Sequence, residues 1–393
     1  MKPNNQIMLF KNLFKVLAYS VCFTAFTAFV TGCSKNNTTP AANIVSFKDV
    51  SVSSAQETPA NGSSATGVLN VDYDKNTKSL KYTITYSGLT PTAMHFHKAA
   101  VGVAGGVQQP IVGPYSSGMT GQITLTAAQE IDLLSNNWYI NIHTTANPGG
   151  EIRGQVVPNT TVVLANVALS ANQEAPVTNS SAATGMLNGL YDKSAKSLNY
   201  TLTYTGLTPI AMHFHKAAIG VAGSVVLPIA SPYSSDMTGT ATLTAAQETD
   251  LLANNWYINM HTTANPGGEI RGQIGGDNVV VFSNTLSGAN EAPTPNNSTA
   301  TGTVYALYNK STKALMYVVT FTGLTPIAMH FHKGAAGVAG DVVQPIPAPY
   351  SSGMAGSVIL TAAQETDLLS QLWYVNVHSA NFPGGEIRAQ LVK

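Results

Sequence analysis

The chain of 393 residues holds nine histidines, and all nine fall into one pattern that occurs three times. They are His95, His97 and His143; His213, His215 and His261; His330, His332 and His378. A shift of 118 residues carries the first set onto the second, and a further 117 carries it onto the third. The three arginines (Arg153, Arg271, Arg388) and the three tryptophans (Trp138, Trp256, Trp373) obey the same spacing. A chain built this way is three copies of one unit. A period near 118 is too long for a solenoid repeat, so each copy is expected to be a complete domain.

The boundaries follow from the repeat. Copy one covers residues 44–157, copy two 162–275 and copy three 279–393, with joints of only a few residues. A segment of 33 residues precedes them. It carries Lys2, Lys11 and Lys15, then an uncharged apolar run from Val16 to Val30 that is short for a membrane span. Those features fit an export signal. Val30-Thr31-Gly32-Cys33 resembles a bacterial lipobox, which implies cleavage before Cys33 and lipid on its sulfur. Residues 34–43 are polar and read as a tether. The resemblance implies a lipid-anchored protein of the cell envelope, and Ser34, following the cysteine, implies the outer membrane.

With Cys22 removed and Cys33 lipidated, the mature domains hold no thiol for a disulfide or a cysteine zinc site. Each copy must then stand on its core, for which about 115 residues suffice. Basic and acidic residues number 19 each, and loss of the leader leaves 16 basic against 19 acidic. No basic stripe exists, so nucleic acid is not an expected partner.

Within a copy the main period is two. In Leu80-Lys81-Tyr82-Thr83-Ile84-Thr85-Tyr86, large apolar residues alternate with polar ones, as in a half-buried strand. Lys75–Lys78 is a polar turn, and Gly88-Leu89-Thr90-Pro91 breaks the chain before the first histidines. One short helix is expected. Thr126-Ala127-Ala128-Gln129 matches a capping box, with Leu125, Ile131, Leu133 and Leu134 to pack it down. Many short strands with turn signals predict a mainly β chain of three tandem antiparallel sandwich or Greek-key domains.

Strand alternation also sorts the histidines. His95 and His97 share one face of their strand, and Met94 and Phe96 take the other. In Trp138-Tyr139-Ile140-Asn141-Ile142-His143, the histidine shares its face with Asn141 and Tyr139. The apolar side is each time the side without histidine, so the trio is expected on the outer or cleft face. Three imidazoles from adjacent strands can close on one ion and leave a coordination position open. Imidazole suits zinc, copper, nickel or iron, so ligand type alone does not choose; zinc or copper, one ion per copy, is the expectation. The competing reading is a polar cluster bonded to Tyr139, Asn141 and backbone. The same positions are Tyr257 and Asn259 in copy two, and Tyr374 and Asn376 in copy three.

After the third histidine comes Asn147-Pro148-Gly149-Gly150-Glu151-Ile152-Arg153, a tight turn entering a strand. Glu151 and Arg153, with Glu269 and Arg271 and with Glu386 and Arg388, are candidates for holding an anion or a carboxylate above the histidines. The pattern favours a surface Glu–Arg pair that stabilises the turn. A further motif is Gln56-Glu57-Thr58-Pro59, echoed at 173–176 and 290–293. Its glutamate is a candidate fourth ligand or, more simply, a loop cap.

These motifs resemble the CHRD domain, named after chordin. The Gln-Glu-x-Pro opening, the Gly-Leu-Thr-Pro-x-Ala-Met-His-Phe-His centre and the Trp-Tyr-x-Asn-x-His element before Pro-Gly-Gly-Glu-Ile-Arg occur in order in every copy, with Asn290 replacing the opening glutamine in the third. The resemblance implies a β-sandwich module of extracellular and bacterial envelope proteins. Growth-factor antagonism does not come with it, because the cysteine-rich modules tied to that activity are absent. A weaker likeness to Cu/Zn superoxide dismutase rests on the His-x-His strand and the glycine-rich turn before an arginine. The lack of a bridging histidine, a zinc-site cluster and a disulfide argues against a two-metal dismutase.

Three functions then compete. A tethered binding or adhesion protein for an extracellular or periplasmic ligand is favoured by triplication, since linked copies raise avidity. A mononuclear metalloenzyme, redox or hydrolytic, is the second. A structural spacer is the third.

Overall fold

A computed structural model describes residues 41–393; the expected export signal, Cys33 and most of the expected tether lie outside the described residues. Residues 42–393 form one compact unit. It is mainly β, with three eight-stranded antiparallel sheets, one in each repeat. In the first repeat the strands are β1 (Ile44–Ser53), β2 (Thr66–Asp74), β3 (Ser79–Ser87), β4 (Ala93–Lys98), β5 (Gly106–Ile111), β6 (Met119–Thr124), β7 (Trp138–His143) and β8 (Ile152–Gln155). Helix α1 (Ala127–Leu134) lies between β6 and β7.

The sheet order is β5-β4-β7-β8-β1-β2-β3-β6. β1 pairs along its length with β2 but meets β8 only at Ser53 and Arg153. The sheet folds at this seam into two layers, giving the expected sandwich. Leu69, Val71, Leu80 and Ile84 of one layer pack on Met94, Phe96, Trp138, Ile140 and Ile142 of the other. Tyr82 and Phe96 meet edge to face across the layers at 5.5 Å. Burying such side chains stabilises each repeat by roughly 1.5–3 kcal/mol apiece.

The helix forms where its capping box places it. Thr126 accepts from the Gln129 amide, and the Gln129 side chain accepts from the Thr126 amide. Leu125 and Leu133 are buried as expected. Ile131 and Leu134 are not: both are exposed, because a helix of two turns offers only one narrow stripe to the sheet.

Successive repeats touch through the same elements. Asn166 in the first strand of repeat two donates to the carbonyls of Ala55 and Glu57 in repeat one, each at 2.7 Å. At the next joint Ser283 donates to the carbonyl of Asn172, and Tyr305 to that of Glu174 at 2.5 Å. Ser283 stands 117 residues after Asn166, and Asn172 117 after Ala55, so the two joints share a register.

Candidate metal centre

The histidine face is positioned by register. β4 and β7 pair with His95 opposite Asn141 and His97 opposite Tyr139, and β7 pairs with β8 with Asn141 opposite Arg153. Side chains of opposed residues rise on the same side of the sheet. Met94, Phe96, Ile140 and Ile142 face the core and are fully buried, as the alternation required. The other face carries His95, His97, Tyr139, Asn141, His143 and Arg153.

Each repeat brings its three histidines together. One ring nitrogen from each of His95, His97 and His143 lies within 4.8 Å of the others, and the same holds for His213, His215 and His261 and for His330, His332 and His378. His95 Nδ1 stands 3.2 Å from His143 Nε2, and His330 Nδ1 stands 3.3 Å from His378 Nε2. Two nitrogens on one tetrahedral zinc, each 2.0–2.1 Å from it, would be about 3.3 Å apart.

Carbonyl oxygens fix the tautomers. His97 Nδ1 is 2.9 Å from the Gly105 carbonyl, and His143 Nδ1 is 3.0 Å from the Pro148 carbonyl. A carbonyl can only accept, so both Nδ1 atoms carry the proton and both Nε2 atoms carry a lone pair. The arrangement repeats: His215 on Gly223, His261 on Pro266, His332 on Gly340 and His378 on Pro383, all at 3.0 Å. Nε2 of His97, His215 and His332 is buried with no hydrogen-bond partner. In repeat two His213 Nδ1 and His261 Nε2 share that state. A buried lone pair without a donor is costly, and in repeat two three unpartnered ring nitrogens converge in one cluster, the pattern of a ligand set.

Burial pushes His95, His97 and His143 below the ordinary imidazole value. Neutral imidazole, the ligating form, is therefore favoured at neutral pH. The donor set fits zinc or copper, three nitrogens with one position to spare.

Around the cluster runs a stacked column. The Tyr139 ring lies parallel to His97 at 4.9 Å, and the Arg153 guanidinium sits 3.5 Å from the Tyr139 ring centre. Tyr257 and Arg271, and Tyr374 and Arg388, repeat the stack. Tyr139 also reaches the backbone of Gly105, the residue whose carbonyl holds His97.

Arg153 does not form the surface pair with Glu151 that the sequence pattern favours. It is 2% exposed and donates to the carbonyls of Val103 and Ala100 and to Gln155 Oε1. Glu151 precedes β8 and turns away, accepting from Ser63 and Thr144. Glu269 and Glu386 do the same with Ser181 and Thr262 and with Ser298. The separation arises at Gly150, whose φ of 137° redirects the chain just before Glu151.

Glu57 of the opening motif does not join the histidines. Its carboxylate lies 3.4 Å from the Asn141 amide, and a Cβ on Gly150 would strike both groups. Burial raises its pKa to about 7, against the pull of Arg153. Glu174 and Glu291 are raised alike, to about 7. Strand alternation put Gln155 on the face of Arg153 and the opening motif marked Glu57, but neither pointed to Gly105 as the carbonyl that holds His97. One signal for Gly105 was present: a glycine follows the second histidine by eight residues in all three copies.

The CHRD domain model matches residues 49–156, 165–274 and 282–391. The chain belongs to the CHRD domain family. Its three CHRD domains coincide with the three sheets, so each domain carries one complete histidine cluster. No curated protein and no solved structure matches the chain.

Proposed function

We propose that the chain is an envelope-anchored binding protein whose three CHRD domains each hold one zinc or copper ion on a histidine trio. The ion's open position would receive a donor group of an extracellular or periplasmic ligand. Lipid on Cys33 would tether the array to the outer membrane, and three linked sites would raise avidity. The observation that carries the reading is the pair of carbonyl-locked imidazoles in every domain, whose Nε2 atoms stand in the same three-histidine cluster.

Binding is favoured over hydrolysis by the state of the acidic groups. Glu151 is committed to Ser63 and Thr144, and Glu57 to Asn141. A spacer would have no need of a ligand set kept in three copies. Loading the chain with cobalt and adding acetate or azide tests the open position. A shift in the cobalt absorption bands is expected; an unchanged spectrum would contradict it. Cys33→Ser should move the protein from the membrane to the soluble fraction, and a variant that stays with the membrane would contradict the anchor.

A further inference from the structure

In domains one and two, the loop that fixes one histidine is also the surface on which the next domain rests. In domain two this loop covers residues 217–223. The Gly223 carbonyl holds His215 Nδ1, and the Gly223 amide accepts nothing but donates to the Tyr257 hydroxyl at 3.0 Å. The Val221 and Ala218 carbonyls receive Arg271. At the apex, Ile219 is 5% exposed and packs with Tyr305, Leu307 and Val318 of domain three. Gly220 lies flat on the Tyr305 ring, where an added Cβ would come within 2.7 Å of Cδ2.

The three domains are graded in this contact. In domain one the corresponding apex is Val101-Gly102, half-buried, with Gly102 against Asn188 of domain two. In domain three it is Ala336-Gly337, exposed, and among the described residues nothing lies within 4 Å of the Cβ position on Gly337. The sequence follows the same gradient on both sides of the joint. Val101, Ile219 and Ala336 stand at the loop apex, and Asn70, Asn188 and Tyr305 stand at the docking position of the opposing strand. On the corresponding face of domain one, Lys48 pairs with Asp72.

We infer that Tyr305 of domain three is a positioning residue for the histidine site of domain two, and Asn188 of domain two for that of domain one. Among the described residues the third site has no such brace, and it is the one that exchanges its ion most readily. This rests on the metal reading above. Groups that orient metal-bound histidine typically change affinity ten- to a hundredfold when lost, and Tyr305 acts one step further out, through the loop.

The test uses the full chain with one site left intact. His97→Ala with His332→Ala leaves the second site; His97→Ala with His215→Ala leaves the third. Zinc transfer to excess chelator is then timed. The third site is expected to release zinc about tenfold faster than the second. Adding Tyr305→Ala should raise the second site to the rate of the third and leave the third unchanged, and Tyr305→Phe, which keeps the ring, should restore slow release. Equal rates with and without Tyr305→Ala, or equal acceleration of both sites, would overturn the inference. Hydrogen exchange of the metal-free chain separates this failure from failure of the metal reading. The Gly223 amide should exchange more slowly than the Gly340 amide, and Tyr305→Ala should erase the difference. Equal exchange in the unsubstituted chain would overturn the brace even if no site binds zinc.

Discussion

On the inner face of β4 and β7, Phe96, Ile140 and Ile142 are wholly buried among the side chains of the opposite layer. On the outer face of the same strands, Tyr139 and Asn141 are 2% and 4% exposed, yet their neighbours are polar side chains and the loops that cover them. Both faces exclude water, by different means. The inner face relies on non-directional packing, so its loss on mutation scales with the volume removed. The outer face relies on directional bonds, where loops carry carbonyls to Arg153, Gln155, His97 and His143. There the penalty comes from partners left unpaired. The inner face holds the fold, and the outer face holds the histidine clusters.

The largest effect should come from the inner face. Phe214→Ala is expected to destabilise domain two by about 3–5 kcal/mol in urea unfolding. Its histidine cluster should survive wherever the domain stays folded. A loss below about 1 kcal/mol would break the contrast between the faces.

Arg271→Met comes next, at about 3 kcal/mol, because the Ala218 and Val221 carbonyls and Gln273 Oε1 lose their donor in a dry setting. A loss near zero would mean that water reaches these groups and that the outer face is wetter than described.

A smaller effect concerns pH. Glu57, Glu174 and Glu291 sit at about 7 in the folded chain against an ordinary 4.5. A raised value means that the folded state holds the proton more tightly. Their contribution is therefore fully present below about 4.5 and is lost as pH rises through about 7. The buried histidines act in the opposite sense, losing stability as pH falls below 6.5. The metal-free triple variant Glu57→Gln, Glu174→Gln, Glu291→Gln should lose the decline toward neutral pH and keep the acid limb. Parallel melting-temperature profiles for the two chains would contradict this.

The smallest effect lies away from both faces. Thr126→Ala removes the helix cap and should cost about 1 kcal/mol without touching the histidines.

The two faces also differ in how far the sequence disclosed them. Alternation placed Phe96, Ile140 and Ile142 in the core and the histidines opposite, and the three-histidine clusters follow from that phase and from the pairing of β4 with β7. Alternation says nothing about what lies above a polar face. Hence the burial of Arg153 and Glu57 was not legible, since it depends on loops 99–105 and 54–58 folding back over the sheet. The Glu151–Arg153 pair failed because strand periodicity was extended one residue too far, through the turn at Gly150. Ile131 and Leu134 failed because apolar character alone does not tell which side of a short helix is covered.

The central claim is that each trio is one metal site, and stoichiometry tests it most directly. Zinc or copper titrated into the full chain by calorimetry, with metal content measured after desalting, should saturate at about three ions per chain. His215→Ala should reduce this to two. Binding should fade reversibly in acid as the imidazoles take up protons. A chain with no saturable site, or a His215→Ala chain that still takes three ions, would contradict the account.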